Sequence, residues 1–223
     1  MADTWTSLSQ PIYTGMPHAK AHGDITITST VLPILDGSEL RTTHLEMPAH
    51  GGTHIDAAIH FFPGTRSIDE YSPEDFIGTG VVLDVRREGT LSLSKDDIVR
   101  AQPAIKRGDF VFLCFGYGRL FGDDSYHDHP YLSVEAANWL VECGVRIVGV
   151  DTTTPDMPGI HRPPGFEFPV HRALLGNEVL VIENLAASLE SFVGERVDIM
   201  AIPLPIRKSD GSPVTVLARR SSP

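Results

Sequence analysis

The sequence predicts an α/β fold: a single domain over residues 1–223, built on a mixed, twisted β-sheet with flanking helices. Three observations predict it. Short apolar, β-branched stretches recur along the chain, helical segments fall between some of them, and no repeat, low-complexity run or linker divides the whole. At 223 residues the chain can bury about 70% of the surface that its unfolded form exposes, so a hydrophobic core needs no covalent staples. Two cysteines, Cys114 and Cys143, sit in apolar segments and read as buried thiols, not as a disulfide framework.

The elements follow in chain order. Residues 25–32, 80–85, 110–115, 145–150, 179–182 and 198–204 are runs of 4 to 8 residues bounded by turn formers, which read as strands. Segments 95–101 and 133–143 read as helices. Ser133 stands where an N-cap accepts from the first turn, and Gly144 stands where helices commonly stop. Strands and helices alternate irregularly, so parallel and antiparallel pairs are both expected.

Charge narrows the function. With 18 Lys+Arg against 29 Asp+Glu the formal charge is −11, and no basic cluster appears. That excludes a nucleic-acid backbone as the main partner and disfavours anionic membrane surfaces. No apolar stretch approaches the roughly 20 residues a bilayer requires. The opening MADTWTSLSQ lacks the basic-then-apolar pattern of a signal peptide, so the expected location is cytoplasmic.

Chemistry concentrates in residues 50–60, HGGTHIDAAIH. On extended chain one face carries His50, Gly52, His54, Asp56, Ala58 and His60, and the other carries Gly51, Thr53, Ile55, Ala57 and Ile59. Ordinary hydrogen bonding explains any one histidine. It does not explain why three imidazoles and a carboxylate share one face with only Gly and Ala between them. A flat strand would hold the His50 and His54 Cα atoms about 13 Å apart, too far for one ion. A bend at residues 51–52 is therefore expected, followed by extended chain from His54 to Asp56; a helix would take two interior glycines at about 1 kcal/mol each. Imidazole with carboxylate and no thiolate suits Zn²⁺ or Mn²⁺.

The segment resembles the HxGTHxDxPxH signature of the metal-dependent cyclase family, which includes bacterial kynurenine formamidase and isatin hydrolase. It matches at His50, Gly52, Thr53, His54, Asp56 and His60, and departs at Ala58, where the family usually has proline. HPYLSVEAANWLVECGVRIVGVDT (129–152), HRALLGNEVLVIENL (171–185) and PLPIRKSDGSPVTVLA (203–218) resemble later family segments in the same order. The resemblance implies that His50, His54 and Asp56 hold one metal and that Asp56 bridges to a second, completed by His171 and Glu183. It implies His60 as the catalytic acid/base, and a homo-oligomer with its site near the subunit interface. The residues agree with the second pair: Pro169 suits the first turn of a short helix carrying His171, and Glu183 ends a strand face shared with Val179 and Val181.

The expected activity is metal-dependent hydrolysis of a small amide, an N-formyl aryl amine or a cyclic amide or imide. One or two divalent ions, Zn²⁺ or alternatively Mn²⁺, lower the pKa of water from about 15.7 to about 7. Hydroxide attacks the carbonyl while His60 protonates the departing nitrogen. Formamidases of the family carry a pocket tryptophan after a proline equivalent to Pro17, and GMPHAKAHGD here has no aromatic, so the substrate stays open. Two rivals come from other classes. His54, Asp56 and His171 also spell the HxD…H triad of a non-haem iron oxygenase, which leaves His50, His60 and Glu183 unused and requires O₂. A non-catalytic metal-binding module would bind metal and hydrolyse nothing.

Other residues have plainer readings. Asp151 orients a ligand or caps a turn, and His161 is a substitute for His171. His18, His22 and His44 lie at the surface or beside the site, while His127 and His129 are loop residues. Phe61, Phe62, Phe166 and Phe168 line a pocket or fill the core.

Overall fold

Apolar alternation on successive strands gathers the chain into a ring. The computed structural model describes residues 4–18, 23–87, 89 and 91–221. Its strands are β1 (Thr6–Ser7), β2 (Thr26–Pro33), β3 (Glu39–Glu46), β4 (His54–Asp56), β5 (Ile77–Asp84), β6 (Ser92–Leu93), β7 (Phe110–Cys114), β8 (Tyr131–Leu132), β9 (Ile147–Val150), β10 (Leu180–Glu183), β11 (Arg196–Pro203) and β12 (Gly211–Arg220). The α-helices are α1 (Lys95–Arg100), α2 (Val134–Cys143) and α3 (Pro169–Leu175). The main sheet runs β1-β12-β11-β5-β7-β9-β10-β4, and β4 pairs again with β12, which closes it into a barrel-like sheet. β5, β7, β9 and β10 run parallel to their neighbours in that series, whereas β11, β12 and β4 pair antiparallel, so the sheet is mixed as expected.

Two apolar clusters divide along the pleat. Ile55, Val82, Phe110, Phe112, Ile147, Ile182, Ile199 and Val216 come from strands all round the ring and pack together. Val81, Leu83, Val111, Leu113, Val148 and Val181, the alternate positions, pack with Ile98 of α1, Ala136 and Leu140 of α2, and Val170 and Leu174 of α3. The helices thus cover the second face of the parallel strands. Their ends follow the sequence. Ser133 accepts from the Ala136 N–H at 3.1 Å, and Gly144 caps α2 in the left-handed region at φ 71°. Cys114 is buried as expected, whereas Cys143 is only partly buried; burial pushes both thiols up, which suits inert packing.

The 25–32 strand lies outside the ring. β2 pairs only with β3, in register from Thr26↔Glu46 to Pro33↔Glu39, as a hairpin exposed along most of its length. Among the described residues no helix is long and apolar enough to cross a membrane.

Candidate metal centre

The predicted face exists, on a path only partly extended. Ile55 and Ala57 are fully buried in the inner cluster and Ile59 packs against it, while His54 and Asp56 point to the opposite side of β4. The bend falls at Gly52, whose φ of +65° disfavours any residue with a side chain; a Cβ there would also come 2.8 Å from Met16 Cε, which would have to move aside. Beyond Asp56 the chain leaves the strand. Ala58–His60 form a 3₁₀ turn, so His60 folds back beside His50, ring centroids 4.1 Å apart.

β10 and α3 bring the distant residues. Glu183 stands directly opposite His54 in the β10–β4 pairing. His171 enters from α3, where its own N–H and that of Val170 donate to the Asp156 carboxylate at 2.9 Å each. His171 Nδ1 donates to the same carboxylate at 2.7 Å, and His54 Nδ1 donates to the Gly52 carbonyl at 2.9 Å. Both rings therefore present Nε2 inward. His54 Nε2 lies 3.4 Å from Asp56 and 3.2 Å from Glu183; His171 Nε2 lies 3.4 Å from Asp56 and 3.1 Å from Glu183. Each imidazole nitrogen thus faces both carboxylates, a donor set suited to a divalent ion.

Asp56 reaches the other way as well. His50 Nδ1 donates to it at 2.8 Å, His50 Nε2 donates to Asp210 at 2.9 Å, and His60 Nδ1 donates to Asp210 at 2.9 Å. Two groups of donors, His54/Asp56/Glu183 and His50/Asp56/His60, thus share Asp56, each with ligand atoms within 4.8 Å of one another. Gly211 seats this corner, since a Cβ there would meet His50 Cε1 at 2.8 Å.

The electrostatics fit a cation. Burial opposes every charge here, yet His50 and His171 hold Asp56 well below the ordinary carboxylate range, and contacts with His171 and His54 bring Glu183 down to about 2. Burial likewise works against protonated His50, but Asp56 and Asp210 raise it to about 10. Ionised carboxylates facing imidazole nitrogens are a donor set a divalent ion can take over by displacing imidazole protons, so the residues fit the metal.

The donors open into a cavity of about 700 Å³, within the usual range for small-molecule sites. Phe61, Phe168, Tyr126, Ile160 and Arg162 line it with Pro17, His18 and His127. Phe168 (φ 53°) and Asn184 (φ 58°) both hold left-handed backbone, a strain of order 1–3 kcal/mol each. Asn184 earns its place by tying the bend to β10: its Nδ2 donates to the Gly52 carbonyl, and its carbonyl accepts from Thr53 Oγ1.

Several expectations are redrawn. His161 is exposed and donates to Asp128 at 2.9 Å, away from the donors, so it does not substitute for His171. Asp151 touches no proposed ligand; it accepts the N–H groups of Phe115, Gly116, Tyr117 and Gly118, holding the loop after β7 while burial pushes its carboxyl up to about 6. Phe62 and Phe166 do not line the cavity. His44 is exposed on β3, His18 lines the cavity, and His22 lies outside the described residues. His129 is a loop residue but fully buried, bonded to Thr153 and the Pro130 carbonyl. The HxD…H triad is present, but Glu183 stands among its three members as a fourth donor, which the oxygenase reading leaves idle. Sequence reasoning missed Asp156, Asp210, Asn184 and Arg162.

Known proteins resemble this arrangement. The family model described as putative cyclase matches residues 6–157. The kynurenine formamidase of Bacillus anthracis is 26% identical over 96% of this chain and 97% of its own. A solved potential metal-dependent hydrolase with cyclase activity is 26% identical, with TM-score 0.77 and full coverage of both chains. Isatin hydrolase A from Ralstonia solanacearum shares the fold at TM-score 0.83 and 23% identity, over 98% of this chain and 92% of that one.

Proposed function

We propose, from the premise that this chain belongs to the putative cyclase family, that residues 1–223 form one metal-dependent hydrolase domain acting on a small amide. The gathering of His54, Asp56, His171 and Glu183, each imidazole facing both carboxylates, at the floor of a small-molecule cavity carries this reading. The kynurenine formamidase and isatin hydrolase relatives support an N-formyl aryl amine or a cyclic amide or imide as substrate. His50, His54 and Asp56 would hold a first ion and His171 and Glu183, with Asp56 shared, a second; Zn²⁺ is the proposed metal and Mn²⁺ the alternative.

A divalent cation held there supplies Lewis acidity for the carbonyl oxygen and lowers the pKa of water from about 15.7 to about 7. The remaining tasks fall to the chain. A carboxylate only accepts, so Asp156 fixes the proton on His171 Nδ1 and leaves Nε2 as the ligand atom. Asp210 does the same for His60 at Nδ1, and His60 Nε2 has no protein partner among the described residues. That nitrogen is free to exchange a proton with substrate. An amide nitrogen departs poorly unless protonated, so we assign His60 Nε2–H as its donor, with Asp210 stabilising the ring's charge while it carries the proton. Phe61 and Phe168 give the cavity an apolar wall that keeps water from competing.

Cytoplasmic residence and a homo-oligomer complete the reading. An isolated two-stranded hairpin is marginal in water, and β2–β3 exposes Leu32 and Leu40 on one face and Val31 and Leu45 on the other, apolar surface of the kind subunits cover. The function is tested by metal inventory of the purified protein and hydrolysis of formanilides and lactams before and after chelation. Activity should vanish and return with Zn²⁺ or Mn²⁺; activity unchanged after verified removal sinks the mechanism.

A further inference from the structure

We infer that Arg162 forms a carboxylate subsite in the cavity, so that the preferred ligand is an anionic aromatic compound whose carboxylate sits on this guanidinium while its ring lies along Phe168 and Phe61. The name substrate for that ligand rests on the hydrolase reading; the subsite itself rests on geometry.

Arg162 follows the 3₁₀ turn Gly159–His161 and lines the cavity. Its Nε donates to the Met157 carbonyl at 2.7 Å, and its guanidinium lies over the rings of Phe168 at 4.5 Å and Phe166 at 5.3 Å. These contacts fix the plane of the group and leave both terminal nitrogens without a protein partner among the described residues. Arg66, Arg86, Arg196 and Arg219, by contrast, each meet a carboxylate within 3.1 Å. Among the described residues no carboxylate stands within ion-pair distance of Arg162, although Asp156 and Glu183 act on it from farther off against the effect of its burial. A half-buried, preorientated fork without an internal anion is suited to take a planar carboxylate through two parallel bonds. Phe168 is 5.5 Å from Phe61 and 6.1 Å from His171, and Phe61 is 5.2 Å from His171, ring contacts that make a continuous aromatic wall from the donor His171 to the guanidinium, along which a ligand ring can lie.

The test is calorimetric binding of benzoate and its neutral isostere benzamide to the metal-loaded protein, in wild type, R162Q and R162K, with thermal melts to verify folding. Wild type should prefer benzoate by about tenfold or more, R162Q should lose that preference, and R162K, which keeps the charge without the fork, should fall between. No preference in wild type overturns the subsite. So does an R162Q preference equal to wild type, which would place the carboxylate on the metal instead. Should R162Q fail to fold, R162K decides, since an undiminished preference there refutes the fork. A parallel assay compares kcat/KM for formanilides bearing a ring carboxylate or carboxamide. Benzoate preference without hydrolysis of either, or of the lactams, supports the subsite and sinks the hydrolase reading, while hydrolysis without carboxylate preference does the reverse.

Discussion

Replacing Asp156 with asparagine changes one atom and disables His171 as a ligand. Asp156 is fully buried and accepts three bonds, from the Val170 N–H, the His171 N–H and His171 Nδ1, at 2.7–2.9 Å. An amide has a single acceptor oxygen, so Asp156→Asn must aim its NH₂ at one of these donors. The least costly relief is for His171 to shift its proton to Nε2 and accept at Nδ1, and that protonated Nε2 cannot bind an ion. Loss of such an orienting partner weakens metal binding by about 10- to 100-fold. By linkage this removes about 1.4–2.7 kcal/mol of metal-dependent stabilisation at saturating metal. For a chain of this length that corresponds to about 3–10 °C in Tm. The quantity to measure is the increment in Tm between chelator and excess metal, because the cap bonds at the start of α3 change Tm in both conditions. A chelator-competition titration gives the affinity directly. A metal Kd within twofold of wild type, with an undiminished Tm increment, would refute the idea that Asp156 sets the His171 tautomer.

Three further outcomes follow from the same geometry. His60→Ala should keep its metal while turnover falls about 10²- to 10⁴-fold, more for an amide than for an activated ester; loss of metal would instead make His60 a ligand beside His50 and Asp56, a place its position allows. Burial holds the His129 pKa at about 4, below the ordinary 6.5, so between those values the unfolded chain binds a proton that the folded chain refuses. Stability present above pH 6.5 is therefore lost as pH falls, by about 2 kcal/mol between pH 7 and 5, and His129→Gln should flatten that decline in urea titrations; an equally steep decline rejects the assignment. Cys114→Ser should cost about 1 kcal/mol of stability and leave turnover within about twofold, since the thiol packs in the core; a large loss of turnover in a folded, metal-loaded variant would overturn this.

Residues 54–56 were legible because polarity alternates along them: apolar Ile55 goes inward whatever its partners, so His54 and Asp56 must face the other way. Gly52 was legible as a bend for a similar local reason. His60 was harder. Extended spacing put it about 13 Å beyond Asp56 along the chain, and the 3₁₀ turn at Ala58–His60 shortens the rise to about 2 Å per residue and folds it back. No local pattern announces that turn, because Ile59 goes inward in either conformation. Asp210 and Asp156 escaped for another reason. DGSP could be quoted as a segment, but the partners of Asp210 stand 160 and 150 residues away, and the bond from Asp156 to His171 spans 15. A single sequence carries no signal for such meetings. The closure of the ring was hidden in the same way, and β3, exposed at every position, has no buried face to betray it.

The double pairing of β4 gives the chain an order of completion. Its three residues hold two proposed ligands, and one of its two edges is occupied by Gly211–Pro213. A ribosome delivers His54 and Asp56 early and Glu183 much later, yet even a nascent chain carrying all five proposed ligands lacks Asp210 and the strand after it, whose Gly211 seats His50. Until then β4 has an open edge, the kind that recruits wrong partners. Catalytic competence therefore arrives with the final strand of the ring, and an interrupted translation product remains inert however many ligand residues it contains.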